Sequence, residues 1–159
     1  MSDLQCPATV LVVRVDTLGE GWRGEVAGLA ERLRDRRVAA VYGGATVPAV
    51  ALSAALADGL GVPPHPLTEP PTPLGGPSDG TAVARCRAAL EALADLHRGE
   101  TVLVVDAGQV LGPALTPLVG RGLGAGPGRT PYQPVTLEVD GDGWRLVDRP
   151  GPVGRGLSR

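Results

Sequence analysis

The chain has 159 residues, enough for one domain with a real core and too few for two ordinary ones. Cations and anions number 15 and 17, so net charge addresses neither nucleic acid nor an anionic membrane surface. Lysine, asparagine, isoleucine and phenylalanine are absent, a bias expected of a GC-rich bacterial genome, and every cation is therefore an arginine. Without lysine there is no Schiff-base enzyme, no lysine base and no phosphate-loop NTPase; without asparagine there is no N-glycosylation acceptor. The two cysteines, Cys6 and Cys86, and the two histidines match no metal-ligand spacing, so neither a metal nor a cofactor is expected. Residues 1–7 lack the regions of a signal peptide, and no apolar run approaches the ~20 residues of a membrane span. A cytoplasmic protein with free thiols is the expectation.

In chain order, Thr9-Val10-Leu11-Val12-Val13 is a continuous β-branched run, the pattern of a strand buried on both faces. Residues 22–36 place Val26, Leu29, Ala30 and Leu33 on one helical stripe. A second strand is predicted over 38–42, broken by Gly43-Gly44, and an alanine-rich helix over about 48–60 with Pro48 in its first turn. The stretch 61–80 holds seven prolines and four glycines and reads as a loop over the sheet edge. Helical spacing returns over 81–97, with Val83, Cys86, Leu90 and Leu93 on one stripe, and Thr101-Val102-Leu103-Val104-Val105 repeats the first strand. Residues 110–119 suit a helix weakened by Pro113 and Pro117, and 120–128 form a glycine-rich connector. Runs at 135–139 and 144–147 flank Asp140-Gly141-Asp142-Gly143 as a hairpin. One domain is expected over 1–149, followed by a frayed basic tail at 150–159.

Alternating strands and helices predict an α/β fold: a three-layer sandwich, its mainly parallel central sheet covered by helices on both faces, with the hairpin at the edge. Such sheets bind ligands beyond the carboxyl ends of their strands. Those ends read Arg14-Val15-Asp16-Thr17 and Asp106-Ala107-Gly108-Gln109.

These segments resemble the histidine phosphatase superfamily, which has the phosphoglycerate mutase-like fold. In that family the first strand runs into Arg-His-Gly, and a later strand, preceded by a His-x-Gly-Glu segment, runs into Ser-His-Gly. Here Val10 to Arg14 is similar to the first approach, and Leu90 to Val105, including His97-Arg98-Gly99-Glu100-Thr101, to the second. Val38 to Leu56 resembles the family's strand, Ser-Ser-Pro turn and alanine-rich helix; Leu67-Thr68-Glu69 resembles the segment with its acidic residue, and Val135 to Leu146 its closing strands. The likeness spans about residues 8–148 and implies that fold. The family's chemistry needs a histidine that takes up the phosphoryl group, a second histidine, two phosphate-binding arginines and a proton donor. By position, the nucleophile falls on Val15, the second histidine on Ala107 and the helix arginine on Pro48, leaving Arg14 and Glu69. The resemblance thus implies a degenerate member without phosphohistidine catalysis.

Charge arithmetic points the same way. If Arg14, Asp16, Asp106 and Glu69 converge, one positive charge meets three negative ones, and phosphate is repelled. Asp16, Asp106 and Glu69 are the candidate acid–base residues, with Arg14, Thr17, Gly108 and His65 as ligand contacts. Each also has a plainer reading. Arg14 can pair with Asp16 or Asp106, Asp106 can cap the helix that follows, and His65 can be a solvated loop histidine. His97 suits the dipole at a helix C-terminus, Cys86 belongs to an apolar stripe, Cys6 has no activating neighbour, and glycines 120, 122, 124 and 126 follow no strand as a dinucleotide loop would. Two functions follow: a pseudophosphatase that binds a small ligand or a protein partner, whether a second copy or an active paralogue, or a repurposed enzyme using the carboxylates with Arg14 as anion anchor.

Overall fold

The computed structural model describes residues 6–67, 82–120 and 134–148. Glu69, glycines 122, 124 and 126 and the tail at 150–159 lie outside them. In chain order the elements are β1 (Ala8–Arg14), α1 (Trp22–Leu33), β2 (Val38–Gly43), α2 (Val47–Leu60), β3 (Pro64–Pro66), α3 (Ala82–Leu96), β4 (Thr101–Asp106), α4 (Gly108–Val119), β5 (Val135–Asp140) and β6 (Gly143–Asp148). The six strands form one sheet in the order β3-β2-β4-β1-β5-β6. The first four run parallel, β5 pairs antiparallel with β1, and β6 returns along β5.

The continuous apolar runs of β1 and β4 follow from their place at the centre. Leu11, Val13, Leu103 and Val105 face α1 and α2, whose Val26, Leu29, Leu52 and Leu56 complete one core. Val10, Val12, Val102 and Val104 face α3 and α4, packing on Leu90, Leu93, Leu111 and Leu115. With period-two alternation and helices on both faces, the middles of these strands, Val10 to Val13 and Val102 to Val105, must be apolar throughout. The expected three-layer α/β architecture is present.

Two boundaries differ from expectation. Within the proline-rich stretch, Pro64–Pro66 forms a short strand pairing parallel with β2, Tyr42 opposite His65. An edge strand hydrogen-bonds on one side only, so its prolines remove donors that no neighbour requires. The last helix starts at Gly108, earlier than the spacing suggests, and contains both Pro113 and Pro117. Burial of Leu111, Ala114 and Leu115 holds it despite the backbone bonds those prolines cannot make.

Among the described residues, no helix is long and apolar enough to cross a membrane.

Candidate functional site

Arg14 and Asp106 are register partners at the ends of β1 and β4, where the sequence places the site. The chain holds this end together with backbone bonds: Val15 N–H donates to Asp106 O at 2.9 Å, and Gly44 N–H to Val105 O at 2.8 Å. Three strand ends and the starts of α2 and α4 therefore meet here.

The two aspartates serve different partners. Asp16 lies beyond the end of β1, and its Oδ1 accepts the N–H of Gly108, the first residue of α4, at 2.9 Å. Its Oδ2 pairs with Arg14 Nε at 3.8 Å, with both side chains about half exposed, so that ion pair contributes little. The cap considered for Asp106 is thus supplied by Asp16, from a strand end distant in sequence. A helix leaves its first N–H groups unpaired, and a carboxylate there answers both the vacancy and the dipole. Asp16→Ala should cost ~0.5–2 kcal/mol, as lost caps do, and Asp16→Asn clearly less, by urea denaturation.

Asp106 turns to the other side of this region. It is 7% exposed. Its Oδ1 accepts the N–H of Ala107 at 2.7 Å, and the Cys86 thiol stands 4.0 Å from its Oδ2. Burial raises the Asp106 carboxyl above its ordinary value, against a lowering by the Ala107 N–H. Burial and the adjacent Asp106 push the Cys86 thiol up to about 12. Cys86 is therefore a neutral buried group on the α3 stripe, not a nucleophile.

A cleft of about 400 Å³ opens beside Asp106, lined also by Gly44, Ala45, Thr46, Leu67, Ala82, Arg85, Cys86 and Val110. Its walls are largely aliphatic, with Asp106, Thr46 and Arg85 as the polar side chains. Thr46 is the N-cap of α2, its Oγ1 accepting the Ala49 N–H at 3.3 Å. Gly44 has a steric reason to be glycine: a Cβ there would stand 2.1 Å from Asp106 Oδ1. At Gly108 a Cβ would meet only the half-exposed Arg14 side chain, which can turn aside, so close packing demands glycine at 44 and not at 108.

The positions onto which the resemblance maps the family's motif residues, Val15, Ala107 and Pro48, are integral to the fold. Val15 is 2% exposed within the core under α1 and α2, and Ala107 is 5% exposed. Pro48 occupies the first turn of α2, where its missing N–H is no loss. Thr17 is exposed.

Neither histidine is in the cleft lining. His97 accepts or donates at both nitrogens, Nε2 lying 2.8 Å from Tyr42 Oη and Nδ1 2.7 Å from Glu100 Oε1. Burial, reinforced by the Glu100 charge, raises the Tyr42 phenol. His65 is exposed on β3 and stacks on Tyr42 with ring centroids 5.2 Å apart. Among the described residues, no group of three or more His, Cys, Asp or Glu is placed to hold a metal ion.

Sequence reasoning missed Gly44, Thr46 and Arg85 as lining residues. The signal available was the Gly43-Gly44 pair at the carboxyl end of a strand, followed by a threonine three residues before Ala49.

No protein-family model matches the sequence, and no curated protein does. Solved structures do match over nearly the whole chain. Bacillus stearothermophilus YhfR is 19% identical with a TM-score of 0.65, covering 87% of this chain and 95% of that one. A mycobacterial glucosyl-3-phosphoglycerate phosphatase is 16% identical with a TM-score of 0.64, covering 89% and 97%. The phosphoglycerate mutase of Plasmodium falciparum is 14% identical with a TM-score of 0.58, covering 94% and 96%. The central sheet order, the two helical layers and this near-complete overlap give the chain the phosphoglycerate mutase-like fold of the histidine phosphatases.

Proposed function

We propose that this protein is a histidine phosphatase superfamily member that has lost phosphohistidine chemistry and acts as a binding protein through the cleft beside Asp106. The observation that carries the reading is the pairing of sealed motif positions with a new buried carboxylate. A valine takes up no phosphoryl group, and Val15 packs into the core where a histidine side chain would have to be accommodated. Phosphate sites need clustered cations or free backbone donors. Here Arg14 is engaged by Asp16, the first N–H of α4 is taken by the same carboxylate, and the cleft holds Asp106.

The acid–base alternative needs Asp16 and Asp106 to act on one substrate. Their different partners support separate duties, with Asp16 holding α4 and Asp106 facing the cleft.

Incubation of the purified protein with p-nitrophenyl phosphate is expected to give no turnover above buffer. Hydrolysis that disappears in Arg14→Ala would overturn the reading.

A further inference from the structure

The single buried carboxyl in the cleft wall selects a ligand class, an inference that rests on the binding reading above. Asp106 is 7% exposed and still forms part of that wall. Its Oδ1 is taken by the Ala107 N–H at 2.7 Å, whereas Oδ2 has the Cys86 thiol, a weak donor, at 4.0 Å. The thiol, pushed up to about 12, stays neutral and brings no charge. Two influences act on the carboxyl, burial and the Ala107 N–H, and neither is a cation. Arg85, also part of the lining, has an interaction of its own and is not one of them. Among the described lining residues Asp106 is the one acid, and Ala45, Leu67, Ala82 and Val110 give the wall its aliphatic surface. The volume is at the small end of the range for small-molecule sites.

A buried carboxylate in an aliphatic wall discriminates through what it rejects. A carboxylate or phosphate ligand adds a like charge. A neutral alcohol supplies one ordinary hydrogen bond and leaves the charge uncompensated. A divalent metal needs several hard ligands, and among the described residues no group of three or more His, Cys, Asp or Glu is placed to hold one. A guanidinium binds best as a fork on both carboxyl oxygens, and here it would have to share Oδ1 with the Ala107 N–H. An ammonium needs one strong acceptor, and a charge-assisted bond of that kind is roughly twice as strong as a neutral one. We propose that the cleft binds a small aliphatic monoamine, its ammonium on Asp106 Oδ2 and its hydrocarbon against Leu67 and Val110. The Thr46 hydroxyl oxygen accepts one N–H from Ala49 and keeps a second acceptor position for another ammonium proton. With one carboxylate in the described lining, a diamine would bring a second charge that finds no partner there.

The test is titration of the isotope-labelled full chain, followed by amide NMR shifts, with butylamine, butanol, butyrate, butylguanidine, diaminobutane and inorganic phosphate. Butylamine should move the amides of Thr46, Cys86 and Ala107 in a saturable way. Butanol, butyrate and butylguanidine should bind roughly tenfold more weakly or worse, and diaminobutane no more tightly than butylamine. Asp106→Asn, which keeps the shape and the acceptor for Ala107, should lose butylamine binding while its circular dichroism stays native. Butanol or butyrate binding as tightly as butylamine, shifts centred on other residues, or no saturable shift with butylamine overturns the assignment. If that happens with p-nitrophenyl phosphate still unhydrolysed, only the ligand class falls and the pseudophosphatase reading stands. Phosphate moving the same amides in preference to butylamine overturns both. The ligand series on the wild-type chain decides the matter even where a variant fails to fold.

Discussion

Gly44→Ala should destabilise the protein by ~2–3 kcal/mol, a large effect for the addition of one methyl group. The new Cβ would stand 2.1 Å from Asp106 Oδ1, 2.3 Å from Cγ and 2.7 Å from Oδ2, so the whole carboxyl group is in the way. Neither side yields cheaply. The Gly44 N–H is fixed on Val105 O at 2.8 Å, and the carboxyl is held by Ala107 N–H in a site that is 7% exposed. Either β2 shifts from β4 or Asp106 swings out and strands the Ala107 donor. Glycine's extra freedom in the unfolded chain works the other way, favouring alanine by ~0.4–1 kcal/mol, and the net figure already includes it. Urea denaturation measures the effect, with two companions that isolate the cause. Gly24→Ala, on the exposed face of α1 with nothing within 4 Å of its Cβ, should be neutral or stabilising by up to ~1 kcal/mol. Gly44→Ala combined with Asp106→Ala should cost less than the two single changes summed, because the second removes what the first collides with. Additive costs would show that the carboxyl is not seated against Gly44.

The architecture was legible because hydrophobic periodicity reports burial directly. Val10 to Val13 and Val102 to Val105 could only be strands covered on both faces, and the Val26–Leu33 stripe could only turn one side to them. β3 was not legible: a strand of three residues carrying Pro64 and Pro66 has no periodicity, and only its position at the edge makes it possible. The candidate site was half legible. The fold class located it after Val13 and Val105, and Asp106, still in register as the last residue of β4, follows the alternation into the α3 side. Asp16 lies past the strand end, where alternation no longer dictates direction, and its bond to Gly108 spans 92 positions with no spacing signal. Gly44 could be read as a strand breaker but not as the space reserved for a carboxylate, because that space exists only once the β2–β4 pairing is formed. The cleft lining likewise comes from the β2–α2 turn, the chain after β3, α3 and β4 to α4, segments that no local pattern joins.

Asp106→Asn should make the ligand-free protein more stable at pH 7 and should flatten its pH dependence above the unfolded Asp value. Burial is the dominant influence on this carboxyl and raises it; the Ala107 N–H opposes but does not cancel it. Between the unfolded value, about 3.9 for Asp, and the higher folded value, the native state holds a proton that the unfolded state has released. Unfolding free energy therefore falls as pH rises through that window, and the deficit persists above it. Asparagine keeps the acceptor for Ala107 and carries no charge, so it escapes the loss. Below the window the two proteins should have equal stability. Asp140 behaves oppositely: hydrogen bonds from Asp142 N–H and Arg145 lower it, so its contribution is present above the unfolded value and lost as pH falls. Since Asp140 is common to both proteins, the difference between their urea midpoints from pH 4 to 8 reports Asp106 alone. Superimposable curves would mean that the carboxylate is fully compensated in the empty protein. A widening gap with rising pH would mean that the chain carries a destabilising charge at the floor of its cleft, which packing alone gives no reason to keep and ligand recognition does.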